Sequence, residues 1–270
     1  MTKDLNEYLS EKFSDNVSLL DLTDFEYHTG QTLSSGVLPK WVSSKYIVKL
    51  GTAGHETDAV NEALTYEVFG KLGANVAQAS VITVRFHNND TSKIEERFAM
   101  FSKKFEGEII YYRDIRKQFR LGNSNDELVD FVGVFPTVAA KLVEMFMIDY
   151  VFAESDRHSK NFGITQEGLA PLYDNGACLF YNVPDTVLSA AELDVDTSEK
   201  FSGKSTLSHL RESMSWFDVS IGTTADLVSR QTTETTYSLM SRGFYSKKRH
   251  DFINDFVTRR LDTLCSLGLL

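Results

Sequence analysis

Cysteine is scarce in this chain, with only Cys178 and Cys265 among 270 residues. Two thiols so far apart form neither a disulfide framework nor a zinc-ligand pattern, and they fit a reducing compartment. Proline is nearly as rare, at four residues, and no low-complexity tract or internal repeat divides the chain with an obvious linker. Long apolar runs are missing too. The most apolar stretch, residues 138–152, is interrupted by Lys141, Glu144 and Asp149 and is too short to span a bilayer. The first seven residues lack the basic-then-apolar order of a secretion signal. These absences lead us to expect a cytoplasmic protein with no membrane attachment, export to a host or the medium being left open.

Positive charge is also in deficit. The formal net charge is −10 and the isoelectric point about 5.1, so the average surface repels phosphate backbones and direct nucleic-acid binding is not expected. One basic cluster departs from this average, Ser246-Lys247-Lys248-Arg249-His250. It opens a run with Phe252, Ile253, Phe256, Val257, Leu261 and Leu264 at helical spacing, and reads as a solvated helix face opposite a buried stripe.

What the chain does have is apolar residue enough for a core, 42% of the total, at a length that suits one large domain or two lobes around a cleft. The N-terminal half reads as strand-rich. Residues 46–50 (Tyr-Ile-Val-Lys-Leu) form a β-branched run ended by Gly51. Residues 58–72 carry Val60, Ala63, Leu64, Val68 and Leu72 on a helical stripe closed by Gly73. Two further strands are expected at 80–86 and 97–101, separated by the polar turn 87–90. The second half reads as mainly helical, with a helix over 137–153 and short strands at 161–164 and 169–173. The fold class expected is α+β with two lobes, a strand-rich part over 1–104 and a helical part over 105–270.

The chemistry concentrates in Glu154-Ser155-Asp156-Arg157-His158-Ser159-Lys160-Asn161-Phe162-Gly163, followed thirteen residues after Asn161 by Asp174 in Tyr173-Asp174-Asn175. An Asp, an Asn five residues later and a second Asp at a strand end suit phosphoryl transfer from ATP. The first Asp orients the attacking hydroxyl and accepts its proton; the Asn and second Asp supply hard oxygen ligands for magnesium. Alone, the Asp-to-Asn spacing equally describes a polar turn capping a helix. Upstream, Lys49 lies inside an apolar strand, where an ammonium needs an anion or a route to solvent. A kinase uses such a lysine to hold the α- and β-phosphates, positioned by a glutamate on the next helix, and both Glu62 and Glu67 are on that helix. Residues 32–40, with Ser34, Ser35 and Gly36, form a turn whose N–H groups suit covering phosphates or an ordinary hairpin.

Taken together, Ser35-Gly36-Val37-Leu38-Pro39-Lys40, the strand ending in Lys49-Leu50, Asn61-Glu62, the loop from Asp156 to Phe162 and Leu172-Tyr173-Asp174 resemble the HipA-like serine/threonine protein kinases, in particular compact members such as HipT and CtkA. The resemblance spans roughly residues 31 to 180. It implies Asp156 as catalytic base, Asn161 and Asp174 as magnesium ligands, Lys49 as the phosphate-binding lysine with Glu62 as its partner, and Lys160 as a neutraliser of the γ-phosphate. For His158 we expect a hydrogen bond that holds the loop. It also places the connection between lobes at residues 98–103, with backbone groups on adenine and Met100 or Phe101 packed nearby. Autophosphorylation in the covering loop falls to Ser34 or Ser35, because Leu33 stands where the family often has serine; Leu38 likewise replaces a usual glutamine.

The cofactors implied are ATP and Mg2+, and the partner is a protein substrate. Family members phosphorylate aminoacyl-tRNA synthetases and include toxins held by an antitoxin protein, so both partners enter as family expectations. Two other readings stay open: a small-molecule kinase, and a catalytically silent nucleotide-binding module.

Overall fold

The computed structural model describes residues 26–28, 40–52, 56–88, 92–105, 107–121, 127–189, 204–219 and 221–270. Ser34, Ser35, Gly36 and the acidic stretch 192–199 lie outside the described residues. Five antiparallel strands, β1 (Glu26–His28), β2 (Lys40–Val42), β3 (Tyr46–Leu50), β4 (Ala79–Asn88) and β5 (Lys93–Lys103), pair in the order β1-β2-β3-β5-β4. Side chains alternate across a pleated strand. In β3 this sends Val48 and Leu50 to one face, where they join Trp41, Ile82, Ala99 and Phe101 in a small apolar cluster. Ile47 and Lys49 project to the other face. The β4–β5 hairpin runs further than the sequence suggested, because its ladder continues in register from Ala79↔Ser102 to Asn88↔Lys93.

Helix α1 (Thr57–Lys71) links β3 to β4 and is buried on nearly every side. Gly73 follows its C-cap with φ +84°, the left-handed conformation a helix stop favours. Apolar residues Val60, Leu64 and Val68 join the main core, but polar contacts set the helix position. Asn61 Nδ2 donates to the Cys178 carbonyl (2.7 Å), and Tyr245 Oη donates to Asn61 Oδ1 (2.6 Å). The Asn-Glu pair therefore divides its labour, Asn61 gripping the second half of the molecule and Glu62 facing the cleft.

Beyond Lys103 come β6 (Ile110–Tyr111), α2 (Tyr112–Phe119), α3 (Glu127–Val134), a 3-10 turn (Pro136–Val138) and α4 (Ala139–Val151). Strands β7 (Gly163–Thr165) and β8 (Gly168–Leu169) complete a second sheet, β6-β7-β8. Helices α5 (Thr206–Phe217), α6 (Ala225–Ser241) and α7 (Lys247–Ser266) close the chain. The result is the expected α+β arrangement, strands first and helices second.

Three expectations need correction. Asn161 and Phe162 precede the strand, since the Asn161 N–H turns back to the His158 carbonyl (2.8 Å). Gly163 then lets β6 come close, because a Cβ there would sit 2.4 Å from the Ile110 carbonyl oxygen. The next strand stops at Leu169, with Pro171 unable to donate to a ladder. The basic cluster at 246–250 is not wholly a solvated face. Ser246 caps α7 by accepting from the Arg249 N–H (3.0 Å), while the Arg249 side chain is buried and donates to Asp185 (2.8 Å) and the carbonyls of Leu179 (3.3 Å), Phe180 (3.3 Å) and Val183 (2.6 Å).

No single helix among the described residues is long and apolar enough to cross a membrane. The α3–α4 pair passes only when joined across a 118° bend, and α4 is a core helix with nine buried residues.

Candidate active site

Strand parity aims Lys49 into a cleft of about 370 Å³ between the sheet and the second half. The Lys49 ammonium donates to Glu62 Oε2 (2.7 Å) and to Asp174 Oδ1 (2.5 Å). Burial alone would depress its pKa, but the two carboxylates outweigh that and hold it above the ordinary lysine value. Glu62 has a second task. Its Oε1 accepts from Tyr66 Oη (2.9 Å) and from the Asp174 N–H (3.0 Å), so one carboxylate orients the lysine and the loop that carries Asp174. Asp174 itself has φ +61°, a conformation that non-glycine residues hold only when their surroundings impose it. Burial pushes its carboxyl up, yet Lys49, then Arg157 and His158, overcome the effect and hold it below the usual carboxylate range. Glu67, on the same helix, lies elsewhere: burial raises its pKa, against the lowering pull of Arg242, then Lys71 and a hydrogen bond from Ser80.

The loop after α4 carries the other half of the site. The Asp156 N–H donates to Glu154 Oε1 (2.6 Å), and Asn161 Nδ2 donates to the Asp156 carbonyl (3.0 Å). His158 holds the loop, its Nδ1 accepting from the Lys160 N–H (3.2 Å). The Lys160 carbonyl accepts from Tyr173 Oη (2.8 Å), a direct tie to the Asp174 segment. Glu154 is 1% exposed. Burial drives its pKa up to about 8, Arg157 opposing the rise and Asp149 adding to it.

Arg157 joins the two halves, and sequence reasoning passed over it. The side chain is fully buried and makes a bidentate ion pair with Asp149 (2.8 Å for each bond). Its Nη1 donates to the carbonyls of both Asn161 and Tyr173 (3.2 Å each), and Nη2 to Asn175 Oδ1 (3.0 Å). One guanidinium thus fixes the residue that carries one candidate ligand and the residue just before the other. A signal existed. Asp149 interrupts an apolar helix, and a buried carboxylate requires a cation, of which Arg157 is among the nearest along the chain.

The expected adenine contacts are placed differently. Residues 98–103 belong to β5, a strand paired with both β3 and β4, so its backbone groups are committed to ladders. Met100 lines the cleft opposite Lys49 in the register, whereas Phe101 points to the far face and stacks on Tyr46 (5.0 Å between centroids). The connection instead starts at Lys104, and Phe105, Gly107 and Ile109 line the cleft there. Lys40, directly across from Lys49 in the β2–β3 ladder, lines it as well; burial and then the neighbouring Lys49 lower its pKa.

The donor set fits magnesium held jointly with phosphates. Asn161 Oδ1 is buried without a hydrogen-bond partner, and such an atom is an acceptor prepared for a cation. Among the described residues, no group of three or more His, Cys, Asp or Glu side chains makes a metal site by itself. An Asn and an Asp leave the remaining coordination to phosphate oxygens and water.

A family model described as HipA-like C-terminal domain matches residues 32–241. Among solved structures, the chain is similar to the crystal structure of a Helicobacter pylori proinflammatory kinase, CtkA. The TM-score is 0.66 and the identity 13%, over 93% of this chain and 97% of that one. Similarity at that identity is a similarity of fold. None of the curated proteins matches the chain.

Proposed function

The chain belongs to the family of HipA-like C-terminal domains, and on that premise we propose that it is an ATP- and magnesium-dependent serine/threonine protein kinase. The single observation that carries this reading is the constellation around the cleft. A strand lysine is clamped by a helix glutamate and by Asp174, and a buried Asn161 oxygen lies one shared guanidinium away.

In this reading Lys49 holds the α- and β-phosphates. An ammonium has three donors, two engaged by Glu62 and Asp174, and the third is available to a phosphate oxygen. Lys40 adds a second cation in the same cleft. Asn161 and Asp174 hold magnesium, which when bound neutralises charge on the phosphates. Asp156 orients the acceptor hydroxyl and takes its proton, while Lys160 offsets charge on the transferring group. The transition state is loose, so placing these groups is most of the catalysis. Ser34 and Ser35 are the proposed autophosphorylation positions. A phosphate on either, beside the nucleotide's own, would repel it.

Incubation with γ-labelled ATP and magnesium tests the reading. Label is expected in the protein itself or in a protein substrate. Asp156→Ala and Asp174→Ala should each lower transfer by about 10²-fold or more with circular dichroism unchanged. Label confined to small molecules would point to a small-molecule kinase, and nucleotide binding without any transfer to a silent module.

A further inference from the structure

Helix α2 is basic in an acidic protein. Residues 112–120 hold Arg113, Arg116, Lys117 and Arg120 against one acid, Asp114, in a chain whose formal charge is −10. The basic positions are not scattered. Arg113, Arg116 and Lys117 fall at i, i+3 and i+4 on one helix face, which Arg120 continues at the C-cap. Tyr112 and Ile115 are buried on the adjoining face, the one Arg116 borders at i+4 from Tyr112. Lys117 and Arg120 are exposed. Arg113 is only loosely engaged, at 3.2 Å from its neighbour Asp114 with both side chains about 40% exposed. Basic residues late in a helix do complement its dipole, but one or two suffice for that.

The helix also begins on the transfer loop. The Arg113 N–H donates to the Ser159 carbonyl (2.8 Å), and the Tyr112 N–H to the Phe162 carbonyl (3.0 Å). Ser159 lies between Asp156 and Asn161, so the basic face starts where the acceptor hydroxyl would be presented and leads away from it. We propose that this face of α2 docks an acidic segment of the protein substrate next to its acceptor serine or threonine.

The inference deepens the kinase reading and rests on it. The dimensions set its register. Seven residues of helix span about 10 Å, and an extended peptide advances about 3.3 Å per residue. Acidic residues are therefore expected within about three positions of the acceptor, on one side of it. The patch is also comparable to the Debye length at physiological salt, about 8 Å. A short acidic segment is attracted locally, whereas a nucleic acid would run past the patch onto the acidic remainder of the surface.

The test uses the full chain and a fluorescein-labelled serine peptide with aspartates at those positions, beside a neutral peptide of equal length. Anisotropy should show salt-sensitive binding of the acidic peptide, weakened about tenfold by the double variant Lys117→Glu/Arg120→Glu. The variant should raise KM for the acidic peptide and leave transfer to the neutral one unchanged. Equal binding by wild type and variant overturns the proposal, as does equal affinity for the acidic and neutral peptides. Tighter binding of an RNA hairpin through the same two residues overturns it too. Charge-dependent peptide binding without transfer to either peptide supports the docking face and counts against the kinase reading instead.

Discussion

The Lys49 side of the cleft and the Asp156 side achieve order by different means. Around Lys49, opposite charges pair with one another: one ammonium meets two carboxylates, and Glu62 closes the circuit by accepting from the Asp174 N–H. Around Asp156 the contacts are mostly between side chains and backbone, with Glu154, His158 and Asn161 each pinning a peptide group. The first arrangement keeps ionic groups charged in a buried place. The second freezes a loop while leaving the side-chain oxygen of Asn161, Oδ1, uncommitted. Arg157 is the element they share.

The largest effect should come from breaking that shared element. Arg157→Leu strands Asp149 as a buried charge and is expected to destabilise the protein by about 3–5 kcal/mol, read from the urea midpoint. The double variant Arg157→Leu/Asp149→Leu should recover much of that stability without recovering transfer, because the carbonyls of Asn161 and Tyr173 have still lost their common donor. Recovery of both would make the pair a stability device alone and dissolve the contrast.

Glu62→Gln acts on one side only. It removes an ionic partner from Lys49 but leaves Asp174 in place. Loss of a charge-assisted bond of about 1.5–3 kcal/mol should raise KM for ATP about tenfold or more. An unchanged KM would mean that Lys49 is oriented by Asp174 alone.

The Asp156 side answers to pH, with an effect that is small at any one pH step and builds across a window. Glu154 has its pKa raised from the ordinary 4.5 to about 8 by burial. Between those values the folded protein holds a proton that the unfolded chain releases, so this group makes stability fall as pH rises through the window. Glu154→Gln should remove a slope on the order of 1 kcal/mol per pH unit there, seen by comparing unfolding of the two proteins from pH 5 to 8. Parallel profiles would place the Glu154 proton elsewhere.

Much of this site was legible because it is local or periodic. A lysine at an alternating position of an apolar strand must face away from the core that its neighbours enter, and Lys49 does. Asn161 follows Asp156 at a spacing one loop can close. The stripe of α1 and the run from Phe252 to Leu264 were visible as helices for the same reason. The misplaced elements were those decided by partners distant in sequence. Residues 98–103 look like a connection or a strand until β3 and β4 claim both of their edges. Arg249 looks solvated until four acceptors of residues 179–185 surround it.

By itself the sequence determined which chemical groups are present, their order and the face each takes within its own element. Folding decided which groups meet. Asp174 lies 125 residues beyond Lys49, yet the two bond directly, and Arg157 bonds two carbonyls that belong to separate loops. Such contacts depend on how elements pack, and packing reflects the whole core rather than any pattern short enough to read along the chain.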